Sequence, residues 1–199
     1  MRGCHCWWLA ALVAGFAPGT PAGEHAAASA AVALDIDERI VRYAVPGHDL
    51  EALRKALSGQ ALAEDAGGSH GRTRSDIQVR FEPTPGAGGC IADNATIEVL
   101  ITTTLPEWEP GRTVSADLRD RWQAMATALQ RHEARHRDHV LQAVRQLQSR
   151  LSALGVQEDC HALRVAVDRA FLAVTVRAEF LDRRYDRRTR NGVAEGIVL

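Results

Sequence analysis

The chain has 199 residues and a mass of 21.7 kDa, enough for one domain with a substantial core and too little for two large ones. Its residues are 46% hydrophobic and 25% charged, a composition that excludes a disordered or fibrous chain and a protein with several membrane spans. The formal net charge of -1 gives no overall attraction to nucleic acid or anionic lipid, so no nucleic-acid partner is expected.

The first thirty residues have the order of a secretory signal peptide. Arg2 supplies a positive charge, the run from Cys6 to Ala17 is apolar, and small residues follow. The apolar run is far shorter than the ~20 residues that a membrane-spanning helix needs, which argues against a stable membrane anchor. We therefore predict cleavage after Ala22 or Ala30 and export of a single mature domain, residues 31–199, to the periplasm or the exterior.

Strands and one short helix are predicted in the first half of the mature chain. Alternating polarity predicts strands at residues 34–45, 76–82 and 95–104. A short helical stretch is expected from Asp49 to Leu57, and residues 58–75 are rich enough in Gly, Ser, Ala and Asp to predict a loop. The segment Pro83–Gly86 is expected to break the chain between the second and third strands.

From Ser115 onward the apolar period becomes helical. Ser115 is a suitable N-cap, and Gly155 is the expected stop of this first long helix. A second long helix is expected from Asp159 to about Arg184. The predicted fold class is therefore α+β, with a small antiparallel sheet followed by two long helices that pack together.

Inside the first long helix stands the sequence His-Glu-Ala-Arg-His, from His132 to His136. Two histidines four residues apart lie one above the other on a helix, so their imidazoles can converge on one Zn²⁺. Glu133, beside the first of them, can reach a water at such a site and act as general base. This is the arrangement of the zincin metallopeptidases, and it predicts hydrolysis of a peptide bond.

Both histidines also continue the apolar stripe, because Leu129 precedes His132 by three and Val140 follows His136 by four. Buried imidazoles need polar partners, so carboxylates on the facing helix are the alternative to a metal. His139 lies two turns, or about 10.5 Å, from His132 along the helix, too far for both to bind one ion.

A third metal ligand must then come from elsewhere in the chain. The C-terminal part offers Glu179, Asp182, Asp186 and His161. The carboxylates are equally suited to salt bridges with the many arginines nearby. His48 and His70 fall in loops, where we expect them to be solvated.

Two cysteines, Cys90 and Cys160, remain once the leader with Cys4 and Cys6 is removed. In an oxidising compartment they most simply form one disulfide, whereas in a reducing one they would be buried free thiols.

The chain resembles a bacterial family of unknown function whose members are described as predicted secreted zinc-dependent proteases. The matching pieces are residues 43–47 (Tyr-Ala-Val-Pro-Gly), the Cys90 segment, residues 105–108 (Leu-Pro-Glu-Trp), Trp122, residues 132–136, Cys160 and residues 185–192. The resemblance implies export, the disulfide, a zincin-like fold and a zinc peptidase acting on a protein or peptide. It also favours Asp186 as third ligand, although Asn191 stands where family members commonly carry histidine.

A non-catalytic exported protein is the competing hypothesis. Residues 183–190 hold five arginines, which could engage an anionic partner. Asp186 lies within this run, and a solvated helix end whose arginines pair with acidic residues explains the run equally well. A zinc-binding pseudoenzyme lies between the two hypotheses. No pattern in the sequence indicates the specificity or the oligomeric state.

Overall fold

A computed structural model describes residues 31–59, 70–110 and 114–199. The elements are β1 (Ala33–Pro46), α1 (Leu50–Gly59), β2 (Arg72–Gly86), β3 (Gly89–Glu109), α2 (Ala116–Ser152), α3 (Cys160–Thr189) and a 3₁₀ turn at Val193–Glu195. The α+β class is confirmed. The predicted signal peptide, residues 1–30, and most of the predicted loop at 58–75 lie outside the described residues.

The three strands form a mixed sheet in the order β1-β3-β2. β2 and β3 are antiparallel, as predicted, but β1 runs parallel to β3. The expectation of a wholly antiparallel sheet is therefore wrong for one pairing. The chain does not turn back from β1 onto its neighbour; it passes through α1 and returns as β2 at the other side of β3, which leaves β1 and β3 pointing the same way.

β2 and β3 form a hairpin that is longer than the sequence predicts. β2 begins at Arg72, inside the predicted loop, and continues through Pro83 and Pro85 to Gly86, where a break was expected. The two prolines are two residues apart, so their nitrogens point to the same side. Because β2 is an edge strand, that side can be the unpaired one, where a missing N–H costs no ladder hydrogen bond.

The two long helices begin where the caps predict. The backbone N–H of Leu118 donates to Oγ of Ser115, and that of Ala162 donates to a carboxylate oxygen of Asp159. α3 runs to Thr189, five residues past the predicted end at Arg184. Arginines in its last turn suit the negative pole of the helix dipole, which favours the additional turn.

The apolar side chains gather in two clusters, and α2 contributes to both. One cluster joins α1, the ends of β1 and β3 and the first turns of α2, up to Leu129. The other joins the sheet, α3 and the later turns of α2, from Val140 onward. Residues 130–139 of α2 lie between the two clusters, and this stretch contains the His-Glu-Ala-Arg-His sequence.

A disulfide joins Cys90 to Cys160, so the start of β3 is tied to the first residue of α3. Cys90 also exchanges backbone hydrogen bonds with Gln157, at 2.8 and 2.9 Å. These contacts fix the end of α3 that lies far from residues 182–189. No helix in the described ranges is long and apolar enough to cross a membrane.

Candidate metal centre

Three donor atoms from α2 and α3 converge at one point of the helix interface. Nε2 of His132 lies 3.3 Å from Nε2 of His136, and Oδ1 of Asp186 lies 3.2 and 3.0 Å from these two nitrogens. The histidines are one helical turn apart on α2, and α3 packs against that face and carries Asp186 to them. The structure therefore brings together the two histidines and Asp186, the candidate third ligand that the family resemblance favours.

The triangle formed by these atoms has the size that a tetrahedral zinc site requires. Ligands about 2.0–2.1 Å from one Zn²⁺ are separated by about 3.3 Å from each other. Two imidazoles and one carboxylate are also a donor set that zinc prefers, and three protein ligands leave a fourth position free. His132, His136 and Asp186 therefore fit a zinc ion in both geometry and chemistry.

Asp182 contacts Nδ1 of His136, the ring nitrogen that faces away from the triangle. Its Oδ1 lies 3.0 Å from Nδ1 of His136 and 2.6 Å from Nδ1 of His139. An ionised carboxylate only accepts hydrogen bonds, so each facing Nδ1 carries its proton. In His136 this leaves Nε2 directed at the triangle, where it can carry a second proton or, without that proton, bind a metal.

His136, His139 and Asp182 form a second group of donors that lie within 4.8 Å of one another. The two groups share His136, and a histidine that binds a metal through Nε2 and donates from Nδ1 has no donor atom left for a second ion. The His139–Asp182–His136 chain is therefore accounted for by its hydrogen bonds. His139 thus contacts Asp182 and not the triangle, which agrees with the distance argument against His132 and His139 binding one ion.

A carboxylate that the sequence did not single out faces the first histidine. Oε2 of Glu195, in the 3₁₀ turn, lies 2.8 Å from Nδ1 of His132. The hydroxyl of Tyr185 donates to the same carboxylate, at 2.8 and 2.9 Å from its two oxygens. The Tyr185 ring also stacks on the His132 ring, with centroids 4.8 Å apart.

Glu133 is enclosed between α2 and the start of β2. Its side chain is among the largest that are fully buried, and its Oε2 accepts a hydrogen bond of 2.9 Å from the Thr73 hydroxyl. A Cβ at Gly71 would lie 2.9 Å from Oε1 of Glu133 and 2.8 Å from Leu129, so glycine leaves the space that the carboxylate occupies. The chain thus fixes the position of this carboxylate from two sides.

The electrostatics of the three donors are strongly coupled. Burial lowers the pKa of His136, but its hydrogen bonds to Asp182 and Asp186 outweigh burial and raise that pKa to about 10. Burial acts to raise the pKa of Asp186, but hydrogen bonds from both imidazoles hold it well below its usual range. Asp186 therefore favours positive charge on its neighbours, which a proton or a divalent cation can supply.

The pKa of Glu133 is raised, because burial opposes its ionised form more than the Thr73 hydrogen bond favours it. A carboxylate of raised pKa has a greater affinity for a proton than an exposed one. This is the property that a general base near neutral pH requires.

The other candidates from the sequence lie away from this triangle. Glu179 is exposed and pairs with Arg183 at 3.2 Å, and His161 is exposed at the opposite end of α3. His48 is exposed, as predicted. His70 is not: it is partly buried and its Nδ1 has no hydrogen-bond partner among the described residues, so burial lowers its pKa.

The C-terminal arginines and Asn191 do not contribute donors to the triangle. Arg183 pairs with Glu179, and the guanidinium of Arg188 lies over the Tyr185 ring, 5.5 Å from its centroid. Asn191 is exposed with φ of 52°, and its backbone N–H donates to the carbonyl of Asp186. Asn191 thus contributes to the turn after α3 through its backbone.

Residues 40–192 match the model of a bacterial family of proteins of unknown function, DUF922. The chain belongs to this family. The match includes all three atoms of the triangle and Glu133, so the candidate centre lies within the DUF922 region, whereas Glu195 lies three residues beyond it. No curated protein and no solved structure matches the chain.

Three partners of the candidate centre are not predicted by the sequence. Thr73 lies in a segment predicted as a loop, and nothing in its neighbourhood indicates a contact with α2. Tyr185 lies in a segment that carried the resemblance, but its spacing does not reveal the hydrogen bond to Glu195. Glu195 is the only acidic residue after Asp186, which is the one pattern that could have drawn attention to it.

Proposed function

We propose that the protein is an exported zinc-dependent peptidase, with His132, His136 and Asp186 as the metal ligands and Glu133 as the general base. The observation that carries the proposal is the triangle of two imidazole nitrogens and one carboxylate oxygen, with edges of 3.0–3.3 Å, beside a buried carboxylate. Hydrogen bonds to a carboxylate on the facing helix account for the two contacts with Asp186, but the approach of the two Nε2 atoms to 3.3 Å of each other is in addition the separation of zinc ligands.

Zinc bound at such a site polarises a carbonyl group and lowers the pKa of a coordinated water toward ~7. The residues of the chain supply the remaining functions. Glu133 takes a proton from the attacking water and passes it to the nitrogen of the leaving amine. Thr73 keeps the Glu133 carboxylate in place, and Asp182 keeps the His136 ring in the orientation that directs Nε2 inward.

Export is supported by the disulfide between Cys90 and Cys160, because such bonds persist in oxidising compartments. A protein or peptide is the proposed substrate class, and the site fits this class because Glu133 and the metal triangle together match the zincin arrangement. No observation favours the alternative of an anionic partner held by the C-terminal arginines. Arg183 pairs with Glu179 and Arg188 lies over the Tyr185 ring, and the exposure of Arg184, Arg187 and Arg190 does not by itself indicate a ligand.

The experiment that tests the function compares the wild-type protein with Glu133→Gln in hydrolysis of a mixed peptide library read by mass spectrometry. We expect Glu133→Gln to lower cleavage by about 10²–10⁴-fold, because the amide cannot take up the proton. Its zinc content should stay at the wild-type value, since Glu133 is not a ligand.

Glu179→Gln, on the exposed face of α3, is the matched control and should cleave like the wild type. Equal cleavage by Glu133→Gln and wild type would overturn the assignment of Glu133. A zinc-containing wild type that cleaves no peptide of the library would instead favour the pseudoenzyme.

A further inference from the structure

The last turn of the described chain places a carboxylate against the back of one metal-binding histidine. We propose that Glu195 is a positioning residue for the metal centre: it accepts a hydrogen bond from Nδ1–H of His132 and thereby directs Nε2 at the metal. The contact of 2.8 Å joins the nitrogen that points away from Asp186 and His136. The inference rests on the proposed function, because it assumes that His132 is a zinc ligand.

Tyr185 makes the contact specific. Its hydroxyl donates to both oxygens of Glu195, and its ring stacks on the His132 imidazole at an interplanar angle of 23°. One side chain therefore fixes both the carboxylate and the plane of the ring that the carboxylate contacts. An accidental surface pair of histidine and glutamate would not share such a common support.

The backbone after α3 is shaped to deliver Glu195. Arg190, Asn191 and Gly192 adopt positive φ in succession, at 54°, 52° and 81°, which turns the chain back toward α2. A Cβ at Gly192 would lie 2.0 Å from Cδ1 of Ile197 and 3.3 Å from Nδ1 of His132. Only glycine permits this close approach with this φ.

The position of the turn is held by the core and does not depend on Glu195 itself. Ile197 is buried and belongs to the apolar cluster of α1 and the start of α2. Arg54 of α1 donates a hydrogen bond of 2.6 Å to the carbonyl of Leu199. Replacement of the Glu195 carboxylate by an amide should therefore leave the turn in place and remove only the charge that faces His132.

Two carboxylates thus face the outer nitrogens of the two histidines, Asp182 for His136 and Glu195 for His132. Asp182 comes from α3, within the region that matches the family. Glu195 comes from the segment beyond it, so the family match alone does not predict the contact. The symmetry of the two contacts is what assigns the same role to both residues.

The test is the zinc affinity of the purified, folded chain, measured by competition with a chromophoric chelator. Mutation of a hydrogen-bonding partner of a metal-bound histidine typically weakens metal binding by about 10–100-fold. We expect an increase of Kd in this range for Glu195→Gln, whose amide oxygen is an uncharged and weaker acceptor for Nδ1–H of His132. Tyr185→Phe, which removes the support of Glu195 but not its charge, should give a smaller increase. Glu179→Gln is the matched control and should keep the wild-type Kd.

A spectroscopic measurement separates positioning from a purely structural role. With Co²⁺ in place of zinc, the visible ligand-field bands of Glu195→Gln should shift relative to wild type and Glu179→Gln, because His132 binds as a weaker donor. The far-ultraviolet circular dichroism and the Tm of the metal-free variants should match those of the control.

Two outcomes would contradict the inference at different levels. If the zinc Kd and the Co²⁺ bands of Glu195→Gln equal those of Glu179→Gln, the role of Glu195 is overturned while the zinc site itself stands. A wild-type protein that binds no zinc would overturn the proposed function, and this inference with it.

Discussion

The two ends of the α2–α3 pair use the same helical spacing for different purposes. At the end near the disulfide, Val144 and Leu147 of α2 face Leu163 and Val167 of α3 in an aliphatic core. About eight to fifteen residues earlier on α2, the same face carries His132 and His136, and α3 places Asp182 and Asp186 opposite them. The periodicity that buries methyl groups at one end thus buries donor atoms at the other.

This difference between the two ends predicts which substitutions the fold tolerates. An aliphatic contact is non-directional, so a neighbour can adjust when one side chain is altered. At the polar end, the two ring nitrogens of His132 face Asp186 and Glu195, and those of His136 face Asp182 and Asp186. These contacts are directional, so removal of one carboxylate leaves the facing nitrogen without its partner. We therefore expect substitutions in the apolar end to change stability and those in the polar end to change metal binding.

The largest effect is expected when a metal ligand is removed. His136→Ala deletes one of three donors, so its zinc affinity should fall by more than the about 10–100-fold that a lost hydrogen-bonding partner costs. The chain should still fold, because both apolar clusters are intact. Zinc per chain after gel filtration checks the prediction, with Glu179→Gln as the control. Retention of wild-type zinc by His136→Ala would remove His136 from the ligand set.

The matching change at the apolar end is Leu147→Ala. Leu147 is fully buried, and truncation of such a side chain leaves a cavity that costs about 2–5 kcal/mol of the free energy of unfolding. Its zinc content in the folded state should equal that of the wild type, because Leu147 lies about three turns of α2 from His136, the nearer histidine of the triangle. Urea unfolding and zinc analysis of the same sample test both halves of the prediction. A stable Leu147→Ala variant that has lost zinc would show that the two ends are not separate.

The smallest effect is expected at an exposed ion pair that joins α2 to β1. Arg137 donates to both oxygens of Glu38, and this hydrogen bond, together with the arginine charge, holds the pKa of Glu38 below its usual 4.5 despite an opposing effect of burial. A carboxylate with a lowered pKa in the folded state stabilises the protein above the unfolded pKa, and the contribution is lost as the pH falls through the folded value.

Glu38→Gln should therefore cost at most about 1 kcal/mol at neutral pH, since both side chains are partly exposed. The difference from wild type should shrink as the pH is lowered past 4.5. The Tm of the two proteins across this range is the measurement. A penalty that grows toward low pH would mean that the pair stabilises the fold in some other way.

The sequence predicts the helices and the donor pair well because both are local. A stripe at spacings of three and four, the caps Ser115 and Asp159, and two histidines one turn apart are each defined within a few residues. The favoured disulfide partners were identified because two cysteines allow a single pairing. The α+β class follows from the same local patterns.

The remaining features depend on contacts between distant parts of the chain. The parallel pairing of β1 and β3 is decided by where the chain crosses the sheet, and no local pattern records it. Thr73 reaches Glu133 across 60 residues, and Glu195 reaches His132 across 63. Asp182 and Asp186 are one turn apart on α3, so their spacing suits both equally to face the two histidines. Which of them lies at the triangle depends on the rotation of α3 about its own axis, and that rotation is set by packing against α2.

The most direct test of the account is metal analysis of the purified wild-type chain by inductively coupled plasma mass spectrometry. We predict one zinc ion per chain, removed by a strong chelator and restored when zinc is added back. A chain that holds no zinc under these conditions, and takes up none when it is supplied, would contradict the claim that His132, His136 and Asp186 form a metal centre.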